Sequence, residues 1–281
     1  MTVRREDAKI LQDFLSARLG MSRRAAKAAI DARRVWVDGA CVWMARHELR
    51  TGSEVRVQGI VATPGVARRE RAVQTKSHCR ILWSDGDYLV CDKPAGMLAT
   101  GGAGSVEELL RVQENLPQLA AVHRLDRDTT GCMLFAKNAR ALEAAVETFK
   151  THSVSKTYHA IVAGKFPYAH MTIEAPIEGK RATSRVSRET ATNDASFLRV
   201  RIETGRTNQI RRHLAGVRHP ILGDRVFGLK RTMDARLMNV PRQMLHASTL
   251  TLAHPLAGRA EIKVHSPLPA DFRKTLKVFG L

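Results

Sequence analysis

Residues 123–131 read His123-Arg124-Leu125-Asp126-Arg127-Asp128-Thr129-Thr130-Gly131, the densest polar cluster in the chain. A short apolar lead-in (119–122) precedes it, and Met133, Leu134 and Phe135 follow as the centre of a strand. Loops between strands often carry function, because the scaffold holds them rigidly at the surface. Arginines beside a carboxylate favour its charged form. A charged carboxylate can act as nucleophile or base. The same residues also make a polar turn closed by local ion pairs, and spacing alone leaves both readings open.

Working outward, Cys132 to Lys137 reads as a strand, and Asn138 caps a helix running to about Lys150. Upstream, RILW (80–83) and DYLVCDK (87–93) read as strands joined by the turn Ser84-Asp85-Gly86, and 105–113 as a short helix. Downstream, strands are expected at 158–162, 197–202, near 245–252 and at 260–264. Residues 207–217 read as a helix with Ile210 and Leu214 on one face. At its start lies a second polar cluster, TGRTNQIRRH (204–213). Arginines at a helix N-terminus bind phosphate or pair with a carboxylate, although a capped surface helix with a solvated basic face explains this cluster by itself. Strands of varied length without regular βαβ repeats indicate an α+β fold with a mixed, largely antiparallel sheet.

The first 59 residues form a separate α+β pattern. Ile10, Leu11, Phe14, Leu15 and Leu19 recur at helical spacing, and Gly20 suggests a stop. Ser22 can cap a second helix over 23–32, with Ala26, Ala29 and Ile30 inward. Val35 and Val37, then Asp38-Gly39, then Cys41 and Trp43 read as a hairpin, closed by a strand at 55–57. Arg23, Arg24, Lys27, Arg33 and Arg34 gather on the second helix and its exit. Residues 60–78, IVATPGVARRERAVQTKSH, hold a Pro-Gly pair and many charges without periodicity, and read as a linker. The expected domains are therefore 1–59 and 79–281.

Charge narrows the function. Of 281 residues, 46 are Lys or Arg and 27 Asp or Glu, a formal net charge of +19. The first 80 residues hold 17 of the basic and 8 of the acidic ones, so the excess is densest there. A folded chain this basic suits a polyanion, with RNA or DNA foremost. No apolar run approaches the ~20 residues that span a bilayer. The N-terminus, MTVRREDAKI, lacks the apolar core of a signal peptide. Four cysteines without a CxxC pair suit reduced thiols, so a cytoplasmic location is expected. Gly101-Gly102-Ala103-Gly104 is not followed by Lys-Ser/Thr, which disfavours a P-loop. HRLD lacks the companion motifs of a kinase, no glycine turn of a methyltransferase cofactor site is evident, and the 11 histidines show no zinc spacing.

HRLDRDTTG resembles the signature His-Arg-Leu-Asp-x-x-Thr-Ser-Gly of the RluA-type pseudouridine synthases. Four further blocks agree in the family's order. They are CDKPAGM (91–97), KTYHAIVAG (156–164), GRTNQIRRHL (205–214) with HPILGD (219–224), and LHASTLTLAHPLAG (245–258). Together they span about 80–275. Residues 9–57 are similar to the αL-type RNA-binding module, whose usual ending, basic residues then V-x-V-[ND]-G, stands here as Arg33 to Gly39. Module followed by catalytic domain is similar to the branch acting on large-subunit ribosomal RNA.

The resemblance implies a pseudouridine-synthase fold and an RNA substrate. It implies a reaction that breaks the uridine C1′–N1 bond, turns the uracil and joins C1′ to C5. Nothing is added or lost, so no cofactor is required. Asp126 matches the catalytic aspartate, Arg211 the arginine that pairs with it, and Tyr158 the aromatic that stacks on the base. Leu245 matches an apolar residue beside the base, and Arg124 an arginine that occupies the gap left by the extracted nucleotide. Arg206 is a further substrate-binding candidate. A base cannot turn inside a helix, so flipping is required. Two positions depart from the pattern: Asn208 stands where the family usually has His, and Thr130 where it has Ser. Thr130 keeps the hydroxyl, while Asn208 removes a ring. The alternative is a non-catalytic RNA-binding or ribosome-assembly protein that retains the fold.

Overall fold

The computed structural model describes residues 1–4, 6–7, 10–31, 35–42, 45, 47–57, 78–101, 104–151, 153–229, 234–256 and 258–281. Two compact units separate, 1–73 and 74–281. The linker expected over 60–78 lies outside the described residues except for His78. So do Arg33, Arg34 and Trp43.

The first unit holds α1 (Leu11–Leu19), α2 (Arg23–Asp31), β1 (Val35–Val37), β2 (Ala40–Cys41) and β3 (Val55–Val57). Leu11, Phe14 and Leu15 of α1 share one core with Ala26 and Ile30 of α2 and Val35 and Val55 of the sheet. Ser22 Oγ accepts the Ala25 N–H at 3.1 Å, which caps α2 as the sequence suggested. Asp38 and Gly39 have φ of 50° and 82°. A two-residue hairpin with right-twisted strands requires such left-handed pairs, which explains the Asp-Gly choice. β3 pairs with the other edge of β1, giving the order β2-β1-β3.

The second unit contains β4 (Arg80–Ser84), β5 (Tyr88–Lys93), α3 (Val106–Gln113), β6 (Ala120–Ala121), β7 (Thr130–Ala136), α4 (Ala139–Lys150) and β8 (Val154–Ala163). It continues with β9 (His170–Ile173), β10 (Ser184–Ala191), β11 (Ala195–Ile202), α5 (Gln209–Gly216), α6 (Ala235–Met238), β12 (Leu245–Leu252), β13 (Ile262–His265) and α7 (Ala270–Phe279). Among the described residues its ten strands form one sheet in the order β4-β5-β7-β12-β8-β11-β10-β9, with β13 on β12 and β6 on β7. Every pairing is antiparallel except β7 with β12. The fold is therefore α+β with a mixed, largely antiparallel sheet.

β7 is buried along its whole length. Successive strand residues point to opposite faces, and β7 accordingly feeds two cores. Met133 and Phe135 join one with Val106 and Leu110 of α3, Leu214 of α5 and Phe272 of α7. Cys132, Leu134 and Ala136 join another with Ala141 and Ala145 of α4. Asn138 caps α4 as expected, its side chain accepting the Ala141 N–H at 2.9 Å. α5 corrects the expected helix start at 207: it begins at Gln209, because Asn208 sits in the left-handed region at φ 56°.

The parallel contact is short, Thr130 beside His246 and Gly131 beside Ala247. Gly131 has φ 110°, and a Cβ there would lie 2.1 Å from the Ala247 carbonyl oxygen. Only glycine permits that approach. The last residue of the polar cluster thus joins the two antiparallel halves of the sheet.

Candidate active site

Parallel pairing places the starts of β7 and β12 at one edge. The 123–129 loop enters β7 there, and Leu245 opens β12. β8 lies next to β12, with Tyr158 opposite Ala247. α5 follows β11 and supplies Arg211. A cavity of about 540 Å³ forms at this junction. Arg124, Asp126, Tyr158, Arg206, Arg211 and Leu245 all line it. These six residues are spread over 122 positions of sequence, and the fold brings them to one cleft.

Arg211 organises the polar side. Its Nη1 donates to Asp126 Oδ2 at 3.2 Å and to Asn208 Oδ1 at 2.6 Å. The planar fork goes elsewhere: Nε and Nη2 donate to Asp224 Oδ2 and Oδ1 at 2.6 and 2.8 Å. The Arg211–Asp126 pairing is thus present, but as one contact of a guanidinium whose two-pronged partner is Asp224. Burial works against the Arg211 charge, and the bonds to Asp224 and then the Asp126 charge outweigh it, raising its pKa. Burial likewise opposes the Asp224 charge, while Arg211 and the Phe227 and Val226 N–H groups hold its carboxyl below the usual range. The Phe227 ring lies 5.1 Å from the Arg211 guanidinium carbon and covers it. Asn208 fits this arrangement in two ways. Its left-handed backbone is one that Asn tolerates, and its amide oxygen takes the second Nη1 hydrogen of Arg211.

The loop itself is anchored over the residues that follow Asp126. Lys93, fully buried at the end of β5, donates Nζ to the carbonyls of Pro94, Arg127 and Thr129 at 2.8, 2.8 and 3.1 Å. Burial lowers its pKa to about 8. Arg242 donates Nη1 to the Asp128 carbonyl at 3.0 Å and gives its fork to Asp271 of α7. Gln243 Nε2 donates to Thr129 Oγ1 at 2.7 Å. His246 Nε2 faces the Ser266 carbonyl at 3.0 Å and must carry the proton, so Nδ1 accepts the Thr130 hydroxyl at 2.9 Å. A serine would make the same bond, which accounts for the Thr130 departure.

Tyr158 is 7% exposed, and burial, followed by the Asp126 charge, pushes its phenol well above the usual range. Leu245 is buried beside it in the same core, and Arg124 is exposed at the rim. Arg206 Nε donates to the Arg181 carbonyl at 3.1 Å. In the first unit, Arg23 is exposed and forks onto Asp13 at 2.6 and 2.8 Å, tying α2 to α1. Arg24 and Lys27 share the exposed part of α2. Among the described residues no group of three His, Cys, Asp or Glu side chains is placed to hold a metal ion.

The profile of the RNA pseudouridylate synthase family matches residues 87–216. Ribosomal large subunit pseudouridine synthase D of Xanthomonas campestris is 34% identical, over 82% of this chain and 77% of that one. The chain belongs to the RNA pseudouridylate synthase family. The synthase D of Pseudomonas aeruginosa is 37% identical over 68% of this chain and 69% of its own, and that of Haemophilus ducreyi 30% identical over 94% and 91%. Human RNA Pseudouridylate Synthase Domain Containing 1 superposes with a TM-score of 0.57 at 25% identity, covering 68% of this chain and 83% of that one. The protein is thus an RNA pseudouridine synthase, an isomerase, and the reading as a non-catalytic RNA-binding relic falls. Three residues of this synthase's site carried no role in the sequence reading: Asp224, Lys93 and Arg242. Asp224 stood inside a quoted block, HPILGD, yet nothing in its distance from Arg211 along the chain says that the two meet.

Proposed function

We propose that this synthase converts a uridine of large-subunit ribosomal RNA to pseudouridine, with Asp126 as the reacting carboxylate. The observation that carries the assignment is the convergence of Asp126, Arg211, Tyr158 and Leu245 on one 540 Å³ cavity, a size that suits a flipped nucleoside. Asp126 either attacks the nucleoside or takes the ribose C2′ proton, and both routes need a charged carboxylate. Arg211 Nη1 holds that charge in place. Tyr158, kept protonated, offers its ring as a stacking face and its hydroxyl as a donor. Leu245 packs beside the base. Arg124, at the exposed rim, fills the gap that the base leaves in the RNA. Arg206 adds positive charge at the cavity wall.

The ribosomal target is supported by the names of the relatives and by the net charge of +19. The first unit adds RNA affinity through Arg23, Arg24, Lys27, Arg33 and Arg34, as an αL-type module preceding the catalytic domain. A ribosomal substrate supports a cytoplasmic location, and the reaction needs no cofactor because substrate and product are isomers. The test is pseudouridine mapping of large-subunit ribosomal RNA from cells with the gene intact, deleted, or restored as Asp126→Asn. One or a few sites lost on deletion and not restored by the variant are expected. An unchanged ribosomal map would overturn the target.

A further inference from the structure

Lys156 lies on β8 two residues before Tyr158, so the two side chains share one face of the strand. Both line the cavity. Lys156 Nζ sits 5.2 Å from the centre of the Phe149 ring, which stacks on His123 at 5.1 Å. His123 brings no negative charge: burial, then Lys156 itself, lowers its pKa to about 3, and its Nε2 accepts the Leu134 N–H at 3.1 Å. Burial alone accounts for the lowered pKa of Lys156, with no carboxylate opposing it. Among the described residues, Nζ has no hydrogen-bond acceptor and no ion-pair partner.

Apart from Arg124, which is exposed at the rim, the other cations around the cleft have protein partners. Arg211 faces Asp224 and Asp126, Arg206 donates to a carbonyl, and Lys150 pairs with Glu147 at 3.1 Å. A half-buried ammonium without a partner is costly. The cost is offset if the substrate brings the missing anion. Uracil and ribose are neutral near pH 7, so the anion an RNA can bring here is a phosphodiester. The ammonium opens on the cavity beside Gly205, which brings no side chain there; a Cβ on it would lie 3.6 Å from Nζ.

We propose that Lys156 seats a phosphodiester flanking the uridine drawn into the cavity. The proposal rests on the reading of this cavity as the uridine site. It makes Lys156 a substrate-binding residue of the reaction, anchoring the backbone so that the base reaches Tyr158 and Asp126.

The experiment uses the full-length enzyme, an RNA fragment containing the mapped uridine, and two versions with a neutral methylphosphonate on the 5′ or the 3′ side of that uridine. Wild-type turnover of the unmodified fragment reports on the site reading itself. Lys156→Met keeps the stem against Phe149 and removes the charge. It should raise KM about ten- to a hundredfold and leave kcat nearly unchanged, as loss of uniform binding does. Its melting temperature should be equal or higher, because a partly desolvated, unpaired charge is gone. One of the two neutral linkages should impair the wild type by a similar factor and impair Lys156→Met no further. If both neutral linkages cost the variant as much as the wild type, the phosphate is not its partner. A fall in melting temperature with an unchanged KM would make Lys156 a structural cation on Phe149, and a loss confined to kcat would move it into the chemistry. Either result overturns the proposal.

Discussion

Asp224→Asn tests whether Arg211 works because its fork is held. Asp224 Oδ1 accepts from Arg211 Nη2 and from the N–H groups of Val226 and Phe227 at 2.9 and 3.0 Å, and Oδ2 accepts from Arg211 Nε. The amide can keep its oxygen toward the two backbone groups. Its NH2 then faces the Nε–H of Arg211, donor against donor. The pair is deeply buried, with side-chain exposures of 9% and 0%. Breaking such a pair from one side costs about 3–5 kcal/mol, and a domain of this size melts ~2–4 °C lower per kcal/mol. The melting temperature should therefore fall by roughly 6–20 °C. Freed from its fork, Arg211 moves relative to Asp126, and a displacement of ~1 Å at a reacting group costs on the order of a hundredfold in rate. Single-turnover release of tritium from RNA labelled at uridine C5 measures that rate, since C5 loses its hydrogen as it bonds C1′. A folded Asp224→Asn enzyme with wild-type rate and melting temperature would refute the reasoning. Arg211→Lys should fail similarly, because one ammonium cannot serve Asp224 and Asp126 at once.

Asp126→Asn should abolish tritium release while leaving the melting temperature near wild type, because Asp224 still holds the Arg211 fork. Residual turnover in a contaminant-free preparation would remove Asp126 from the chemistry. His123, buried neutral, should make stability fall with acid: below pH ~6.5 the unfolded chain takes up a proton that the fold excludes, at up to about 1.4 kcal/mol per pH unit down to the folded pKa near 3. Urea midpoints measured from neutral to mildly acidic pH should show this slope, and His123→Asn should remove one group's share of it, His159, His213 and His246 being lowered by burial as well. Deleting residues 1–72 should weaken RNA binding and reduce the salt dependence by ~0.7–0.9 in log–log slope for each phosphate the module neutralises. The single-turnover rate at saturation should persist, since every residue lining the cavity lies beyond residue 122. An unchanged salt slope would assign the basic face of α2 to solvent.

Elements with strong local patterns were legible. Asn138 announced α4, Asp38-Gly39 the hairpin, and RILW with DYLVCDK the first strand pair of the sheet. β10 was not, because Ser184 to Ala191 carries little apolar pattern. Its first residue is buried by polar contacts instead: Ser184 Oγ meets His213 Nδ1 at 2.9 Å and the Gln209 amide at 3.2 Å. α7 does carry a signal, with Phe272, Leu276 and Phe279 at helical spacing after Pro269, although no helix was expected there. In the site, the residues proposed to perform chemistry stand in recognisable motifs, whereas those that hold them do not. Lys93 looks like the polar end of a strand until three carbonyls are seen around it. Arg242 lies next to Gln243 in a loop whose partners are 114 and 29 residues away.

The means of holding the loop bear on the chemistry. On the proposed reading Asp126 stays charged in a cleft that also receives RNA phosphates, so further negative charge beside it would repel the substrate and disfavour its own ionisation. Lys93 fixes the loop through two of its carbonyls, and Gln243 and His246 through hydroxyls, all neutral partners. The second carboxylate that the site does use, Asp224, is fully buried and neutralised by a fork. The parallel contact at Gly131 makes this economy possible. It brings β12 alongside the start of β7, so that Arg242, Gln243 and His246, one short segment, reach Asp128, Thr129 and Thr130 in turn. An antiparallel pairing would run those partners in opposite directions and could match only one of them. Asp126, the carboxylate proposed to react, thus sits on a loop fixed at each of the four residues that follow it, while its own side chain is held by a single 3.2 Å contact.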